Sequence, residues 1–221
     1  MEKLNLLQPE FVICVGDLIE GGTEDINVLK QQYGEFDEIV NSLQMRFFRV
    51  AGNHDISNPT MMKMYEERYG HAYYHFVYKQ VLFLVVCTED DSEQGIGKAQ
   101  IAYIKAAIEN SGDVRWTYVF MHKPMFAEES AKVREAWGQI EHDLIGRPHT
   151  VFAGHWNNYA KRKRNGQSYI HLATTGGVSG LRGAESGEFD HVVWVTMTDK
   201  GPRIANLLLD GIHDENVRVI E

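Results

Sequence analysis

Val50-Ala51-Gly52-Asn53-His54-Asp55 is the stretch around which the rest of the chain is organised. It continues a short apolar run, Phe47-Phe48-Arg49-Val50, that reads as a strand over residues 46–50. Gly52 frees the backbone to turn sharply. An amide, an imidazole and a carboxylate then follow one another. Gly, Asn and Asp are also common turn formers, so this stretch alone reads equally as a turn or as a site.

Three other stretches share the construction. The apolar run 11–15 is followed by Gly16-Asp17, the run 116–121 by His122-Lys123-Pro124, and the run 150–153 by Gly154-His155. Each run reads as a buried strand. Each ends at a side chain able to ligate a metal. Sites in open α/β sheets form outside the carboxyl ends of the strands, so Asp17, Asn53, His122 and His155 are expected to converge.

The chain has 221 residues and a formal net charge of -9, a balance that excludes a general nucleic-acid binder. It suits a protein that gathers carboxylates around cations. No apolar run reaches the length of a membrane span, and no signal-type segment opens the chain. Cys14 and Cys87 both lie in apolar strand runs and read as buried free thiols.

Residues 1–8 read as the last turns of a helix stopped by Pro9. Thr23 is placed to cap a helix whose apolar face is Leu29, Tyr33, Phe36, Val40 and Leu43. Pro59 starts a helix that Gly70 ends. A hairpin over 72–87, a helix around Ile101, Ile104 and Ile108, and a helix over 128–145 follow. After His155 the pattern becomes strands alone, with an Asn165-Gly166 hairpin and a second hairpin over 192–209. The run Lys161-Arg162-Lys163-Arg164 reads as a solvated strand edge, with an anion-binding patch as the alternative. His71, His75, His142, His149, His171, His191 and His213 have no ligand-like partner nearby in sequence. Trp156 reads equally as a pocket wall or as packing. One α/β domain over 1–221 is the simplest organisation.

Gly16-Asp17, Gly52-Asn53-His54-Asp55, His122-Lys123-Pro124 and Gly154-His155 occur in the order and rough spacing of the calcineurin-like metallophosphoesterases, which the sequence resembles over nearly its whole length. The resemblance implies a four-layer α/β/β/α sandwich with two mixed sheets. It implies divalent ions (Mn, Fe or Zn), two in the family, that activate a water against a phosphoester. Asp17 would bridge the ions, and Asn53, His122 and His155 would complete one site. His54 would protonate the leaving oxygen, oriented by Asp55.

Two departures bear on activity. The family opens with Asp-any-His at the end of its first strand, and no such motif precedes Asp17. The chain therefore reads as a domain lacking its first strand, either as an N-terminally truncated piece or as a protein without the motif. Element order favours truncation. The last motif is Gly154-His155-Trp156-Asn157 where the family has Gly-His-any-His, so Asn157 is at best a weak ligand. The expected function is metal-dependent hydrolysis of phosphomono- or phosphodiesters with an incomplete first metal site. The alternative is a non-catalytic relative that serves binding or structure. The substrate and the compartment stay open.

Overall fold

The computed structural model describes residues 1–220. Five helices are α1 (Glu2–Leu7), α2 (Ile26–Val40), α3 (Pro59–Tyr69), α4 (Lys98–Glu109) and α5 (Ala131–Asp143). The early strands are β1 (Phe11–Ile13), β2 (Arg46–Phe48), β3 (Tyr74–Tyr78), β4 (Val81–Val86), β5 (Trp116–Met121) and β6 (His149–Ala153). The later ones are β7 (Ala160–Arg164), β8 (Gln167–His171), β9 (Val192–Thr198), β10 (Gly201–Leu207) and β11 (Ile212–Asp214).

The central sheet has six strands in the order β3-β4-β5-β6-β8-β7. β4, β5 and β6 run parallel in its middle, and their sequences are apolar without alternation because both faces are covered. Residue parity sorts the two cores. Leu82, Leu84, Val86, Val119, Met121 and Val151 face Ile104 and Ala107 of α4 and Trp137 and Ile140 of α5. Val81, Phe83, Val85, Tyr118, Phe120 and Phe152 face the other way, toward Phe11, Ile13, Val193 and Ile204. Removing each such side chain from water stabilises the fold by roughly 1.5–3 kcal/mol.

That second face carries the third layer, which is in two pieces. β1 pairs in parallel with β2, and β9, β10 and β11 form a separate antiparallel sheet. Among the described residues β1 is paired with β2 alone. The expected mixed second sheet is therefore interrupted beside β1, and β1 is shorter and less buried than its apolar sequence suggests. Phe11 still anchors it, meeting Phe48, Phe76, Tyr78 and Phe83 edge-on at 5.2–5.7 Å. α2 and α3 form the outer layer through Leu29, Tyr33 and Met61, and Phe36 meets Phe47 of β2 at 5.9 Å. α1 buries no residue and is tied down by polar contacts from Asn5 to Ser42 and Gln44 and from Lys3 to Leu209.

Two local expectations are corrected. Asp25, not Thr23, caps α2, because its carboxylate accepts from the amides of Asn27 and Val28. The basic run on the edge strand β7 is a solvated edge only in part, with Lys163 exposed and Lys161 covered. Residues 218–220 lie alongside β7, through the Lys161 amide to the Arg218 carbonyl and the Ile220 amide to the Lys161 carbonyl. Lys161 is buried, with its ammonium on Glu215 at 2.6 Å and Asn216 at 2.8 Å.

His191 gives the fold an acid limit. Its buried ring accepts from the Ala173 amide at Nε2 (3.1 Å) and donates from Nδ1 to Asn206 Oδ1 (3.0 Å). A second proton would face an amide hydrogen, and burial pushes the pKa down to about 4. An unfolded histidine titrates near about 6.5. Between these values the unfolded chain takes up a proton that the folded chain refuses. Stability is therefore intact above the unfolded value and falls as the pH drops toward 4. The expected loss from this one group is on the order of 3 kcal/mol. Denaturant melts across that window test it. His191→Gln should be less stable at neutral pH and show a shallower acid slope, whereas an unchanged slope would acquit His191.

Candidate metal centre

Each candidate ligand follows a strand, and Asp17, Asn53 and His155 also follow a glycine, whereas His122 follows Met121 at the end of β5 directly. Gly16 has φ +98°, and a Cβ there would stand 2.5 Å from His122 Nδ1, so only glycine fits. Asp17 and His155, the residues after Gly16 and Gly154, take left-handed backbone with φ 56° and 70°. Strained non-glycine conformations of this kind cluster at functional sites.

The side chains meet at one point. His122 Nε2 lies 3.0 Å from Asn53 Oδ1, 3.1 Å from His155 Nδ1 and 3.2 Å from Asp17 Oδ1. Ligand atoms of Asp17, His122 and His155 all fall within 4.8 Å of one another. His122 is buried, and its other nitrogen, Nδ1, lies 2.8 Å from the Val15 carbonyl oxygen. A carbonyl only accepts, so Nδ1 carries a hydrogen and Nε2 is the ring nitrogen turned to the cluster. Nε2 faces an amide oxygen, a carboxylate oxygen and an imidazole nitrogen, four ligand atoms gathered closely enough to share one cation. The backbone bond to the remote nitrogen is the usual device that orients a metal-binding histidine. The donor set, two imidazoles with an amide and a carboxylate oxygen, fits a borderline divalent ion.

Electrostatics agree. Burial pushes the Asp17 carboxyl up, but the His122 ring and the His54 amide outweigh it and hold the carboxyl below its usual range. Burial, followed by the neighbouring His122 and Lys123, holds His155 low, which keeps it a neutral ligand. Lys123, the residue after His122, is tethered to Glu89 at 2.9 Å.

His54 lies beside the cluster. Its amide donates to Asp17 Oδ1 at 3.1 Å, and its ring Nδ1 lies 2.6 Å from the Glu20 carbonyl. Asp55 does not orient it. The buried Asp55 carboxylate accepts from the amides of Leu18 (2.8 Å) and Gly52 (2.7 Å) and so ties the loop after β1 to the loop after β2. Burial pushes Asp55 up to about 7 in spite of those bonds. The Val15 and Glu20 carbonyls are backbone groups, and no residue type in the sequence announces them. Asn157 is half-buried with φ 52° two residues beyond His155, and it makes no side-chain hydrogen bond among those described. Asp17, His122 and His155 form the only group of three His, Cys, Asp or Glu side chains among the described residues placed to hold an ion.

The family model for calcineurin-like phosphoesterases matches residues 1–169. The chain belongs to the calcineurin-like phosphoesterase family. This family is divalent-metal dependent and is built on phosphoester hydrolysis. Solved structures share the fold at low identity. GAP50, the anchor in the inner membrane complex of Plasmodium, is 13% identical, with a TM-score of 0.65 over 100% of this chain and 89% of that one. A dimetal phosphatase from Danio rerio is 13% identical, with a TM-score of 0.57 over 96% and 82%. A purple acid phosphatase from yellow lupin is 14% identical, with a TM-score of 0.63 over 96% and 47%. No curated protein matches the chain.

Proposed function

We propose that residues 1–221 form one calcineurin-like phosphoesterase domain that holds a single divalent ion and hydrolyses phosphomono- or phosphodiesters slowly. The observation that carries this reading is the convergence of His122 Nε2 with three other ligand atoms within 3.2 Å. Asp17, Asn53, His122 and His155 would hold the ion. The ion supplies Lewis acidity and an acidified water. His54 has Nδ1 fixed on Glu20, which raises its affinity for a second proton at Nε2. That proton is delivered to the leaving oxygen. Lys123, held by Glu89, adds positive charge where a phosphoryl group would sit. Asp55 acts on the loops, not on the proton. The substrate partner is a phosphoester, and no described helix is long and apolar enough to cross a membrane.

The lone ion group and Asn157 also favour a second reading, a binding protein on the same fold. GAP50, an anchor in the inner membrane complex of Plasmodium, has a similar fold and supports this second reading. Turnover of a nitrophenyl phosphodiester, measured with manganese, iron or zinc, separates the two. Slow turnover with about one bound ion supports the hydrolase, as ligand counts require. His54→Ala should then lose turnover by roughly 100-fold, the scale of general acid catalysis, while its metal content stays unchanged. Two ions with brisk turnover would overturn the single-ion site. No turnover with any ion would favour the binding protein.

A further inference from the structure

The basic run on β7 separates into different fates. Lys161 pairs with Glu215 and Arg164 with Glu141. Arg162 forms no ion pair among the described residues. Its buried Nε has no hydrogen-bond partner, and burial and the charges of Arg164 and Arg218 all disfavour its cation. His171, on the neighbouring strand, is wholly buried, with neither ring nitrogen hydrogen-bonded. The charges bearing on it are again those of Arg162 and Arg218. Arg218 itself bonds only neutral acceptors, Asn158 Oδ1 and the Tyr159 carbonyl. His171 pairs with Ala160, two residues from Arg162 on the same face of β7, and the Arg218 carbonyl accepts from the Lys161 amide, so two guanidiniums and an imidazole share a corner in which no described carboxylate faces them. Buried polar groups of this kind are normally satisfied, so the unmet donors point to a missing acceptor.

The corner adjoins the candidate metal centre. The His171 ring meets Trp156 at 4.5 Å and Phe126 at 5.0 Å. Trp156 follows His155 directly, and Phe126 lies in the short 3-10 turn Met125–Ala127, just after His122-Lys123-Pro124. The two loops carrying the candidate histidine ligands therefore enclose the corner between them. Trp156 is 37% exposed and forms its outer wall.

We propose that Arg162, Arg218 and His171 form a second oxyanion subsite behind Trp156, and that it receives an anionic group of the substrate other than the scissile phosphate. The substrate class is then a phosphoester carrying a second phosphate or carboxylate. This rests on the phosphoesterase reading for the word substrate, while the anion site itself does not. Arginine is suited to the task because its planar fork binds two oxygens at once.

The first test is calorimetric titration of the EDTA-treated chain with inorganic phosphate. Saturable binding is expected, weakened about tenfold or more in Arg162→Gln and in Arg218→Gln, a scale set by charge-assisted bonds. His155→Ala should retain it. Binding lost in His155→Ala but kept in both arginine variants would put the anion at the metal centre and overturn the proposal, as would no saturable binding. The second test compares a sugar bisphosphate with its monophosphate on manganese-loaded His54→Ala. The bisphosphate should bind about tenfold tighter, and Arg162→Gln should erase that preference while sparing the monophosphate. Equal affinities in the parent would overturn the substrate assignment. Failure of the phosphoesterase reading would show separately, as absent turnover in the unmutated chain. Thermal melts identify any variant that has not folded, and the two arginine variants stand in for each other.

Discussion

His155→Ala will purify without a divalent ion, while the unmutated chain will carry about one, the number its ligand set supports. His155 Nδ1 is one of four ligand atoms at the centre and lies 3.1 Å from His122 Nε2. Removing a group that merely orients a ligand costs about 10–100-fold in metal affinity, so removing a ligand should cost more than about 100-fold. The remaining Asp17, Asn53 and His122 offer two oxygens and one nitrogen, a set on which borderline metals are held weakly. His122→Ala should have the same effect, and it also breaks the bond to the Val15 carbonyl, so its melting temperature should fall as well. His155 contacts the buried His122 alone among side-chain hydrogen-bond partners, and its variant should keep the fold. Elemental analysis by mass spectrometry beside a thermal melt checks both. A His155→Ala chain that retains a full equivalent of metal would remove His155 from the ligand set.

Much of this centre was legible in the sequence because ligands at strand ends are announced by apolar runs that stop abruptly. Asp17, Asn53, His122 and His155 each follow such a run, and the structure brings them to one point. What stayed hidden has physical causes. The parallel pair β1–β2 and the antiparallel sheet β9–β11 contain ordinary strand sequences, and nothing in them reveals that they do not join. The partner of His54 is the carbonyl of Glu20, and carbonyls have no residue code. Asp55 follows His54 directly, yet the turn at 52–55 brings its carboxylate onto the amides of Leu18 and Gly52. Lys161 and Arg162 are neighbours in one basic run, but strand alternation puts them on opposite faces. One finds Glu215 and the other finds no carboxylate. Composition could not separate them, whereas the pleat does.

Gly52→Ala should disable the centre although it removes no ligand. A Cβ at Gly52 would stand 2.5 Å from the Asp17 backbone nitrogen and nearer still to Asp17 Oδ1. Neither can move freely. Asp17 Oδ1 faces His122 and accepts from the His54 amide, and the Gly52 amide is held by Asp55. The methyl must therefore push the loop after β1 away from the loop after β2, which strips the Asp55 brace and withdraws Asp17 from the centre. Overpacking of this kind costs typically about 1–3 kcal/mol, and the loss of buried bonds to the Asp55 carboxylate adds about 1–3 kcal/mol. Metal affinity should fall more than about 100-fold, because a ligand is displaced as well as the geometry. Gly34→Ala is the contrast. Gly34 lies within α2, and a Cβ there meets nothing within 4 Å. Replacing a helical glycine by alanine in open space stabilises by roughly 0.5–1 kcal/mol. The same chemical change should thus raise the melting temperature at residue 34 and lower it at residue 52, with metal lost only at the latter. A Gly52→Ala chain that melts and binds metal like its parent would show that the two loops are not in the contact on which the centre depends.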